Sequence, residues 1–145
     1  DVRRERFSGA GVRQLIRSTA AQDGLETYIV VPQDPGQAGK TQADDIVAEL
    51  AGFVVRKEPQ SGKKETRAEP FSAQVGAGNV DLVDGKWNDA FLSELRFFPR
   101  GTYKDQVDSV SSAFNFLSKK IRNDVDSDMY ISGEKQGNWA NPLLS

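Results

Sequence analysis

Twice within the first sixty residues an amphipathic helix pattern is stopped by a glycine and followed at once by a β-branched run. In "GAGVRQLIRSTAAQDG", Val12, Leu15, Ile16 and Thr19 fall on one helical stripe, Gly24 ends the pattern, and "ETYIVV" follows. In "TQADDIVAELAGF", Ile46, Val47 and Leu50 form the stripe, Gly52 stops it, and "FVVRKE" reads as a short buried strand. Such an alternation predicts an α/β layer architecture with a parallel element in its sheet. The 145 residues suffice for one domain with a core under that sheet.

Further along, "KKETRAEPFSAQVGAG" predicts a helix in which Pro70 is a kink or a boundary, and "NVDLVDG" alternates like a strand closed by a turn. "WNDAFLSELRFF" sets Trp87, Phe91, Leu95 and Phe98 at helical spacing, and "PRG" ends it. In "KDQVDSVSSAFNFLSKKI", Val107, Val110, Ala113, Phe114 and Leu117 share one face of a long final helix. From Arg122 onward periodicity fades, so residues 1–121 are read as the domain and 122–145 as a C-terminal tail, either docked through Trp139 or by a partner, or disordered.

The run "VVPQDPGQAGKTQADD", Val30 to Asp45, has the residue types of a phosphate-binding loop. A Walker A loop needs four residues between its first glycine and the Gly-Lys pair, whereas only two separate Gly36 from Gly39-Lys40-Thr41. A nucleotide loop is therefore not expected. Cysteine and histidine are both absent, which removes thiol chemistry, disulfides, Cys/His zinc sites and every imidazole-based triad. An enzyme built from this chain must rely on carboxylates, whose oxygen ligands suit magnesium or manganese. The net charge of -2 gives no global attraction to polyanions, and no apolar run reaches the length of a membrane span or a signal peptide core.

In open α/β sheets, ligands gather outside the carboxyl ends of the strands. "YIVVPQDPG" is such an end and supplies Asp34; the turn before the last helix, "GTYKDQVD", supplies Asp105, with Asp108 one helical turn on. Convergence of these acids would make a site for one or two divalent cations, two-ion sites holding their metals roughly 3.5–4 Å apart. The competing explanation is local: Asp at a strand end or helix start also serves hydrogen bonding and the helix dipole. Arg56, Lys57, Lys63, Lys64 and Arg67 cluster around a turn, either as a phosphate-backbone patch or as a solvated face partly offset by Glu58 and Glu65.

Taken together, "PQDPGQAGK", "GKKETRAEPFSAQVGAGNVDLVDGKWNDAFLSELRFFPRG" and "YKDQVDSVSSAF" resemble, in order and spacing, the C-terminal nuclease domain of the large terminase subunit of tailed bacteriophages. The resemblance runs from about Asp1 to Leu117. It implies an RNase H-like mixed sheet flanked by helices, with the first strands lacking from this chain. The implied activity is a divalent-metal-dependent endonuclease that cuts concatemeric double-stranded DNA during packaging in the host cell cytoplasm. Mg2+ or Mn2+ is the implied cofactor, and the portal protein and small terminase subunit are implied partners. Of the family's acids the third maps onto Asp105; with Asp34 and Asp108, read from the strand end and the helix start, it makes up the expected catalytic and metal set. The expected DNA-binding set, read from charge, is Arg56, Lys57, Lys63, Lys64, Arg67 and Lys40.

The family's second acid maps onto Pro32, which cannot bind a metal, and its first has no counterpart in the chain; where the family often carries two successive acids, Lys104 precedes Asp105. A second expectation follows, of a truncated or catalytically impaired relative that binds DNA or the packaging motor.

Overall fold

The computed structural model describes residues 2–3 and 6–134. Its elements run α1 (Gly9–Asp23), β1 (Tyr28–Gln33), α2 (Gln37–Glu49), β2 (Val54–Pro59), α3 (Lys64–Gly76), α4 (Asn88–Phe97) and α5 (Asp105–Glu134). Both helix–strand units expected from the sequence are present, but β2, expected to be buried, has no fully buried residue, because only β1 flanks it among the described strands. Ser8 starts α1 by accepting from the Gly11 N–H, and Gly24, at φ 88, ends it with its own N–H on the Ala20 carbonyl. Gly52, at φ 98, turns the chain from α2 toward β2.

β1 and β2 pair in parallel, Tyr28 opposite Val54 through Gln33 opposite Pro59, with α2 as the crossover. The sheet described is two-stranded and parallel; no antiparallel strand, as a mixed sheet would require, occurs among the described residues. Period-two alternation separates its faces. Lys57 reaches Asp44 of α2, while Tyr28 packs its ring against Phe116 of α5 at 5.6 Å between centroids and Glu58 accepts from Lys119 of α5. The sheet is thus a partition between α2 and α5.

The core sits on both sides of that partition. Leu50, 1% exposed, closes the α2 side beside Ala43 and Val31. On the other side α3 packs along α5, where the Phe71 and Phe114 rings meet at 5.9 Å and Ser111 is fully buried, its hydroxyl donating to the Val107 carbonyl. The buried side of α5 therefore runs through Val107 and Ser111, and Leu117 of the expected stripe is exposed. Pro70 lies inside α3, and Asn115 of α5 donates to the nearby Arg67 carbonyl at 2.9 Å.

"NVDLVDG" is not a strand. Residues 79–85 lie outside any ladder, and Val80 and Leu82 line a cavity with Phe71, Trp87 and Phe91. An alternating pattern becomes a strand only where an edge is available to pair with it. α5 continues to Glu134, past the point where the apolar stripe fades. The expected docking of Trp139 falls outside the described residues. No helix among the described residues is long and apolar enough to cross a membrane.

Candidate active site

The Pro-Gly run of the sequence is a corner between β1 and α2. Gly36, at φ 95, occupies the position before α2 in a conformation that favours glycine. Gly39 packs so closely that a Cβ there would stand 2.3 Å from the Asp34 carbonyl oxygen. The glycines serve this tight turn.

Beyond the corner, the carboxyl end of β1 faces the first turns of α5. Tyr28, Val30 and Pro32 of β1 line one cleft with Asp105, Asp108, Ser109 and Ser112 of α5 and with Gln60 just after β2. Asp105 and Asp108 are therefore brought to the strand end, opposite Pro32. Asp34 is exposed on the corner and does not line the cleft. Pro32, at the family's second acid position, contributes only an apolar ring.

The two carboxylates differ sharply in surroundings. The Asp105 side chain is 81% exposed and that of Asp108 only 21%. Arg67 of α3 donates to Asp108 Oδ1 through Nη2 at 2.6 Å and Nε at 3.2 Å, and Nη1 donates to the Gly62 carbonyl. Lys64 Nζ stands 3.2 Å from Asp108 Oδ2 and 3.6 Å from Asp105 Oδ1. Two cations one turn apart on α3 thus neutralise the pair, as i, i+3 spacing on a helix permits.

The remaining basic residues do not form one patch. Lys57 pairs with Asp44 on the α2 side of the sheet, while neighbouring Arg56 alternates to the other face and donates to the Val55 carbonyl. Lys63 is exposed immediately before α3, and Lys40 is exposed on α2. The Asp44 carboxyl is held below its ordinary range, chiefly by the hydrogen bond from Lys57, against an opposing effect of desolvation and with lesser help from the charges of Lys57 and Lys40.

Oxygen donors are what the cleft offers a cation. Besides the two carboxylates and two serine hydroxyls, Gln60 Oε1 is buried and unpartnered, its amide nitrogen being committed to the Glu58 carbonyl. Such donors fit a hard divalent ion. Their number falls short of a two-ion centre, since no group of three or more acidic side chains that could hold a metal occurs among the described residues.

One residue of the site was not anticipated from the sequence. Glu94 of α4, 6% exposed, accepts from the backbone N–H of Gln106 at 2.6 Å and of Val107 at 3.1 Å, and from Gln106 Nε2 at 3.0 Å. These amides belong to the first turn of α5 and normally bond to the side chain preceding a helix; here that residue is Lys104, which has no acceptor. The signal lay in the sequence, since Glu94 follows Phe91 by three on the apolar face of its helix and Lys104 replaces a capping residue.

The family model of the terminase RNaseH-like domain matches residues 3–119, and the chain belongs to that family. No curated protein and no solved structure matches it. Membership implies a terminase nuclease-related role, with DNA and the packaging motor as partners in general.

Proposed function

We propose that this domain is the nuclease of a viral DNA-packaging terminase, a divalent-metal-dependent endonuclease with an RNase H-like sheet that cuts concatemeric double-stranded DNA. The observation that carries the reading is the meeting of Asp105 and Asp108 with the carboxyl end of β1 in one cleft. Residues 1–121 form the nuclease domain and 122–145 its tail. The working environment is the host cell cytoplasm, with the portal protein and small terminase subunit alongside.

Asp105 and Asp108, with Gln60 Oε1, are the groups that would hold Mg2+ or Mn2+; Asp34 would join them only if the corner at Pro35 and Gly36 turned toward the cleft. A divalent ion bound there would polarise the attacking water and offset phosphate charge. Lys64 balances the two carboxylates at rest and lies where a phosphate would approach them. Lys63, Lys40, Arg56 and Lys57 contribute a diffuse positive field to the duplex, alongside Arg67.

A second reading, a catalytically impaired relative that binds DNA or the motor, draws on two observations. Pro32 offers no ligand, and both carboxylates are already neutralised by Lys64 and Arg67. Plasmid cleavage in Mn2+ or Mg2+, with Asp105→Asn and EDTA as controls, separates the two. Metal-dependent cutting lost in the variant supports the nuclease; no cutting in either metal, with DNA still bound, supports the second reading.

A further inference from the structure

We propose that Glu94 is a positioning residue, which sets the first turn of α5 and with it the carboxylates of Asp105 and Asp108. The inference rests on the proposed role of those two acids. Glu94 reaches from α4 to accept both first-turn amides and the Gln106 side chain, all within one buried contact. A local cap would satisfy the same amides but would leave α5 free to slide relative to α4. The carboxylate of Glu94 fixes the helix start to a neighbouring element, between the exposed Asp105 and Asp108, which Arg67 binds to α3. Lys104 cannot take over this task, because an ammonium only donates.

Outer groups of this kind act through the orientation of the ligands, and their loss typically weakens metal binding by about 10- to 100-fold. The test uses the full chain, labelled for NMR, with Mn2+ alone as the probe. In Glu94→Gln we expect an intact fold, loss of exchange protection confined to the amides of Gln106 and Val107, shifted carboxyl resonances of Asp105 and Asp108, and about a tenfold higher Mn2+ concentration for half-broadening of the Asp105 amide.

Removing a buried acceptor can also unfold the chain, so a second variant carries Lys104→Ser, which gives α5 a local cap, together with Glu94→Ala. We expect this pair to fold, with the Asp105 and Asp108 carboxyl resonances and the Mn2+ response still displaced from those of Lys104→Ser alone. Coincidence with Lys104→Ser in both readouts would overturn the proposal and reduce Glu94 to a replaceable cap. If the native chain shows no Mn2+ response, the metal reading fails by itself, and the metal-free carboxyl resonances decide the role of Glu94: displacement upholds it and coincidence overturns it.

Discussion

Arg67 donates through two nitrogens to a single carboxylate oxygen of Asp108, tying α3 to the first turns of α5. Both side chains are about four-fifths buried, where a charged hydrogen bond contributes about 1.5–3 kcal/mol. Arg67→Ala is expected to lower stability in urea unfolding by about that amount. A cycle with Asp108→Ala should return a coupling of about 1 kcal/mol or more; coupling within about 0.3 kcal/mol of zero would show the pair to be incidental.

Asp105 is the opposite case. Its side chain is largely solvated and the first-turn amides of α5 are already taken by Glu94. Asp105→Ala should change unfolding free energy by no more than about 0.5 kcal/mol, as for other surface changes. A loss of about 1–2 kcal/mol would instead assign Asp105 a capping role.

The Lys57–Asp44 pair gives a pH dependence of defined sign. Because the folded-state carboxyl of Asp44 titrates below its ordinary value, its contribution is present above the unfolded pKa of about 3.9 and is lost as pH falls through the folded value. Lys57→Met should move the Asp44 titration upward in a carboxyl NMR experiment, and salt should shrink the difference, since the group is at the surface. A midpoint unmoved by the substitution would deny Lys57 its leading part.

At the β1–α2 corner, Gly39→Ala places a methyl group into the Asp34 carbonyl. Relief requires moving backbone, so a loss of about 1–3 kcal/mol is expected in denaturant unfolding. An unchanged midpoint would mean that the corner gives way freely.

For DNA, Lys63→Ala should weaken binding to unrelated duplex sequences alike and reduce the slope of log K against log salt by about 1. Lys57→Ala should do less, because that ammonium is engaged by Asp44 on the other side of the sheet. Equal effects would restore the picture of one continuous basic patch.

The helix–strand pairs were legible because glycine stops and β-branched runs are local signals, and both units formed where those signals stood. What escaped depends on partners. "NVDLVDG" has the alternation of a strand, yet pairing needs a free edge in reach; Val80 and Leu82 line a cavity with Phe71 and Trp87 instead, and Val83 is exposed. The basic run reads as one cluster in one dimension, but alternation in β2 sends Arg56 and Lys57 to opposite faces, and helical spacing in α3 aims Lys64 and Arg67 at α5. Asp105 and Asp108 were placed correctly at the helix start, whereas the path of the corner beyond Pro32 decided that Asp34 would lie outside their cleft. Glu94 hid among the apolar residues of α4 because a buried carboxylate shows its purpose only when the amides it accepts from come into view.

At 30 residues, α5 is a single rod of about 45 Å. It carries the two acids at one end and is gripped about a third of the way along, by Phe71 against Phe114 and by Tyr28 against Phe116. Glu94 and Arg67 hold the acid-bearing end to α4 and α3, and Lys119 ties the rod to Glu58 of the sheet just past the aromatic contacts. The turns from Asp105 to Lys119 are thus clamped on three elements, so the aim of the carboxylates is a property of the packed domain and not of the far end of the rod.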